Sequence, residues 1–68
     1  MNKRMVEFVG EILVETERAV LFTESGDKDD AVWLPKSQIK IVNLDTSTDP
    51  VQAEIEVVEW LATKNEMV

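Results

Sequence analysis

Val6, Phe8, Ile12 and Val14 fall on one parity of residues 4–15, and Glu7, Glu11 and Glu15 fall on the other. Alternation with a period of two predicts a long first strand with one buried face. Gly10 stands on the apolar parity, where the missing side chain predicts a bend or bulge. Val9 and Leu13 share the acidic parity. They are expected to pack under a terminal helix or a partner, with covering by the chain itself the stronger expectation.

A short connection at Thr16-Glu17 predicts that a second strand over 18–23 returns antiparallel. Ser25-Gly26-Asp27-Lys28-Asp29-Asp30 is turn chemistry, because Gly26 accepts positive φ and aspartates hydrogen-bond their own backbone. A third strand over 31–34 then completes a meander. Pro35 cannot donate to a ladder and biases Leu34 toward extended backbone, so 35–38 reads as a corner, with one turn of 3₁₀ helix. A fourth strand follows over 39–44, with Ile39 and Ile41 on one face and Lys40 and Val42 on the other. Residues 45–50 read as a mobile loop. Ala53, Ile55 and Val57 alternate with Glu54 and Glu56 as a fifth strand. Residues 59–65 read as a short helix anchored by Trp60 and Leu61.

This pattern predicts a single small, mainly β domain over 1–68. Its architecture is a five-stranded, strongly bent antiparallel sheet or an SH3-like or OB-like barrel, with a short C-terminal helix. Barrel closure is the natural way to remove sheet edges, and an open sheet with a helix across one face is the alternative. Sixty-eight residues bury only about 60% of the unfolded surface. The core is therefore modest, and association into homo-oligomers is one way to support it.

Cysteine and histidine are both absent, which excludes disulfides and zinc sites of the Cys/His type. Fourteen acidic and seven basic residues give a formal charge of −7, which repels nucleic acid at long range and disfavours anionic membranes. Glu7 interrupts the apolar residues near the start, so no signal peptide is expected. No apolar run reaches the length of a membrane span. Cytoplasmic residence is the resulting expectation.

Catalysis is not expected, and no catalytic residue is assigned. Nucleophilic chemistry would fall to Ser, Thr, Lys, Asp or Glu, and the adjacent Lys36-Ser37 pair would point to opposite faces of an extended chain. Asp27-Lys28-Asp29-Asp30 resembles the start of a calcium loop but lacks its length and distal glutamate, so no metal and no cofactor are expected. Two candidate binding regions remain. The corner gathers Trp33, Lys36, Ser37 and Gln38, where a buried tryptophan would stabilise the fold by about 2–3 kcal/mol and an exposed one would offer a contact. Trp33 is expected in the core or at its rim, and Trp60 in the core. The second region is a carboxylate face formed by Glu7, Glu11, Glu15, Glu54 and Glu56 if the first and fifth strands are neighbours; a solvated sheet face needs the same residues.

Val32-Trp33-Leu34-Pro35-Lys36-Ser37-Gln38-Ile39, with Glu59-Trp60-Leu61-Ala62 near the C-terminus, resembles a group of very small phage and prophage proteins of uncharacterised function. The first strand with its glutamates and Arg18-Ala19-Val20-Leu21 also look similar, so the likeness spans most of the chain. The chain ends sooner after Trp60 than the group's pattern, which predicts a short final helix. The resemblance implies a viral or prokaryotic accessory protein, acting in the host cytoplasm if viral, and it implies no activity. The functional expectation is a non-catalytic acidic accessory protein that binds a host or phage protein. The alternatives are a nucleic-acid mimic that inhibits a host defence or replication protein, and a weak single-strand binder using Trp33 with Lys36 and Lys40.

Overall fold

The computed structural model describes residues 4–67. Its strands are β1 (Met5–Glu15), β2 (Ala19–Thr23), β3 (Val32–Pro35), β4 (Ile39–Asp45) and β5 (Val51–Val58), followed by the helix α1 (Glu59–Lys64). They form one antiparallel sheet in the order β3-β2-β1-β5-β4. Among the described residues β3 and β4 do not pair, so the sheet is open and bent rather than a closed barrel. β1 runs through the middle and serves two wings: β2 and β3 lie on one side, β5 and β4 on the other. No helix among the described residues is long and apolar enough to cross a membrane.

The inner face of both wings carries the core. Phe8, Ile12, Val20, Phe22, Leu34, Ala53, Ile55 and Val57 are buried there, and Leu61 and Ala62 of α1 complete the cluster. In β1, Phe8 faces Ile55, Gly10 faces Ala53 and Ile12 faces Val51, so the alternation of residues 6–12 maps directly onto the two faces. Gly10 is buried for a steric reason. A Cβ at this position would stand 2.2 Å from the Thr23 carbonyl oxygen and 2.8 Å from the Phe22 ring. Only a glycine lets the end of β2 approach β1 this closely.

Between Ile12 and Val14 the β1–β2 register shifts, because Ile12 faces Phe22 while Val14 faces Leu21. Leu13 is thus the extra residue of a β-bulge. The shift overturns the expected parity beyond it. Val14 is exposed on the outer face, and Glu15 lies opposite the buried Val20. Val9 also departs from expectation: it is 63% exposed, uncovered by helix or loop.

Helix α1 has six residues, too few to be stable alone, and depends on its packed face. Leu61 and Ala62 are that face. Trp60 is 56% exposed, which corrects its assignment as a core anchor. The Glu59 amide donates to the Arg4 carbonyl, fixing the start of the helix to the start of β1. At its end the Met67 amide donates to the Ala62 carbonyl and the Glu66 amide to the Thr63 carbonyl. These two bonds, with Glu66 at φ +58°, make a Schellman termination, and Met67 folds back onto the core.

Candidate functional site

Pro35 closes β3 at a sheet edge, where its missing N–H leaves no ladder bond unmade. The chain then turns through one 3₁₀ turn, Lys36–Gln38, before β4 begins. The Lys36 amide donates to the Arg18 carbonyl at 2.7 Å, which ties the corner to the β1–β2 connection. The Lys36 ammonium donates to Glu15 Oε2 at 2.6 Å. Glu17, Arg18, Pro35, Lys36 and Ser37 line a shallow hollow here. Ser37 is exposed and Gln38 half-buried.

Trp33 does not share that hollow. Strand alternation places buried Leu34 inward and sends Trp33 to the outer face, 51% exposed, directly opposite Leu21. Leu21 in turn lies opposite Val14. The next row on this face pairs Pro35 with Ala19. Val14, Leu21, Trp33, Ala19 and Pro35 therefore form an apolar outer surface on the β1-β2-β3 wing. The sequence pattern singled out Trp33 within it. Val14 was hidden because its outward direction depends on the bulge, and Leu21 because its run, Ala-Val-Leu-Phe, shows no alternation.

The outer face of the other wing is acidic. β1 and β5 are neighbours, so Glu7 stands directly opposite Glu56, Val9 opposite Glu54, and Glu11 opposite Gln52. Directly opposed carboxylates repel each other, which identifies this as a solvated face rather than a stabilising ladder. β4 adds Lys40 beside Glu56 and Asn43 beside Glu54. Glu7, Glu11, Glu54 and Glu56 thus share one surface. Glu15, expected among them, is carried off it by the bulge and engages Lys36.

Asp27 and Asp30 are used in the β2–β3 turn. Asp27 Oδ1 accepts the Asp29 amide at 2.9 Å, capping the 3₁₀ turn Lys28–Asp30, and Ser25 Oγ donates to Asp30 at 3.2 Å. Among the described residues no group of three or more Asp and Glu side chains is placed to hold a metal ion. At the β4–β5 turn, Asp45 Oδ1 accepts both the amide and the hydroxyl of Ser47. These bonds hold the Asp45 carboxyl below its ordinary pKa, because they favour the ionised form. Comparison with models of protein families, with curated proteins and with solved structures finds no match for this chain.

Proposed function

We propose that this protein is a non-catalytic binding module that engages a partner protein through the apolar outer face of the β1-β2-β3 wing, with Trp33 as the anchor. The observation that carries this reading is the contiguous row Val14–Leu21–Trp33, with a large aromatic half-exposed at its end. Interface centres favour tryptophan, whose burial against a partner costs little side-chain entropy, and a polar rim that excludes water. Arg18, Lys36, Ser37 and Gln38 at the adjoining corner supply such a rim. The resemblance to small phage and prophage proteins favours a host or phage protein as the partner.

Immobilised wild-type protein and the variants Trp33→Ala and Trp60→Ala, exposed to bacterial lysate, test the reading. A protein retained by wild type and by Trp60→Ala but lost with Trp33→Ala supports it. Equal retention by all three overturns it. Thermal melts accompany the comparison. Both tryptophans are half-exposed, so each truncation should cost about 1 kcal/mol or less, against about 2–5 kcal/mol for Leu34→Ala in the core.

A second reading rests on the directly opposed Glu7 and Glu56, with Glu54 and Glu11 on the same surface. Such spaced carboxylates suit a mimic of nucleic-acid phosphates that occupies a basic groove. In that case the combined change Glu7→Gln, Glu54→Gln and Glu56→Gln abolishes capture, while Trp33→Ala preserves it.

A further inference from the structure

The open sheet has two edges, and the structure treats them differently. The β3 edge is four residues long and ends in Pro35, which has no N–H to offer another strand. The β4 edge is seven residues long and contains no proline, and every residue after Ile39 is exposed. Ile41, Val42 and Leu44 stand in solvent along it. A long edge of this kind presents a row of unpaired backbone groups to any strand that fits.

The side chains of β4 specify which strand fits. Its pairing with β5 shifts register between Ile41 and Asn43, so Val42 is the extra residue of a second bulge. Ile41 faces Ile55 and Leu44 faces Ala53, both on the inner face. Lys40 faces Glu56 and Asp45 faces Gln52, both on the outer face. In an unbulged strand, residues three or five apart would point to opposite sides. The bulge places Ile41 with Leu44 and Lys40 with Asp45.

We infer that the β4 edge is a self-complementary surface on which a second copy of this chain adds antiparallel, Lys40 opposite Asp45 and Ile41 opposite Leu44 of the other copy. A two-fold axis normal to the sheet generates this register, with Val42 opposite Asn43 at its centre. Paired residues on antiparallel strands share a face, and here the bulge meets that requirement at both outer pairs. Each copy carries one extra residue, so residues 40–45 of one copy run in step with residues 45–40 of the other. The axis repeats each contact, giving two ion pairs and two apolar pairs around the backbone ladder. Among the described residues Lys40 makes no salt bridge within its own chain. Asp45 uses Oδ1 for Ser47, and among the described residues no donor occupies its Oδ2. The product is a continuous ten-stranded sheet, five strands from each copy. It leaves the Trp33 face free, since β3 is the opposite edge.

Sedimentation velocity of the full chain over about 10 μM to 1 mM tests this. The mass should rise from 7.7 kDa toward twice that value. Lys40→Glu and Asp45→Lys each set like charges opposite one another at both ends of the ladder, and each should weaken self-association about tenfold or more. An equimolar mixture of the two variants should restore it. In the mixed dimer the introduced glutamate meets the introduced lysine, while native Lys40 meets native Asp45. Circular dichroism melts establish that each variant is folded. If Asp45→Lys does not fold, Asp45→Asn takes its place, with weakened association of the variant alone as the readout. A monomer throughout the range overturns the inference. So does a dimer of equal strength in every variant, or a mixture that associates no better than its components.

Discussion

Glu15 and Lys36 stand 21 residues apart in the chain, yet their carboxylate oxygen and ammonium nitrogen are 2.6 Å apart. The pair joins the end of β1 to the corner beyond β3, across the end of the intervening β2. It exists because the Leu13 bulge turns Glu15 away from the acidic surface. The Glu15 side chain is 56% exposed and that of Lys36 32%, so water screens the attraction. A double-mutant cycle on Glu15→Gln and Lys36→Met, followed by urea denaturation, should give a coupling of about 0.5 kcal/mol. The coupling should shrink further in about 1 M salt.

Gly10→Ala should be far more damaging than its size suggests. The new methyl would meet a backbone oxygen, the Thr23 carbonyl, at 2.2 Å, and a strand of the sheet would have to move. A loss of about 3 kcal/mol or more is expected in urea denaturation, enough to unfold a domain this small. Gly26→Ala is the contrasting case. Gly26 has φ +84°, and the nearest obstacle is the Glu11 carboxylate, the end of a flexible side chain. Its cost should be about 1 kcal/mol.

Glu66→Gly should stabilise the protein. Glu66 holds a left-handed conformation at φ +58° to complete the termination of α1. A side chain there costs roughly 1 kcal/mol that glycine avoids, offset in part by the greater freedom of glycine when unfolded. A gain of about 0.5 kcal/mol in the melting free energy is expected. A loss would show that the Glu66 side chain makes a contact of greater value.

Asp45 supplies a pH dependence of defined sign. Its hydrogen bonds from Ser47 place its folded-state pKa below that of the unfolded chain. The stabilisation is therefore complete above the unfolded value and is lost as pH falls through the folded one. Carboxyl carbon chemical shifts should place the Asp45 midpoint below the ordinary aspartate range. Ser47→Ala should move it back toward that range, since it removes the hydroxyl donor.

The legible parts of the fold are those fixed by neighbours in sequence. Pro35 marked the corner because it cannot donate, and the glycine-aspartate run of 26–30 marked the β2–β3 turn. Alternation over residues 6–12 marked the buried face of β1. The bulges at Leu13 and Val42 were not legible, because an extra residue leaves no mark on composition and its effect appears only against a partner strand. Strict alternation accordingly places Val14 and Glu15 on the wrong faces. Trp60 looked like an anchor by size, but the six-residue helix presents Leu61 and Ala62 inward and its neighbour outward. The binding candidates divided in the same way. Trp33 was visible as an aromatic on an apolar run, whereas its companions Leu21 and Val14 are assembled by pairing across three strands.

The Leu13 bulge also makes the identity of the outer surface depend on pairing register as well as on side-chain choice. Upstream of it β1 displays Glu7 and Glu11; downstream it displays Val14. Loss of Leu13 would leave a regular ladder, with Ile12 still opposite Phe22 and Val14 still opposite Leu21, whereas pairing straight through Leu13 would send Leu13 and Glu15 outward and Val14 inward. The exterior of this wing is thus set by how the ladder absorbs one extra residue, and the sequence of β1 tolerates the loss of that residue without turning Val14 inward.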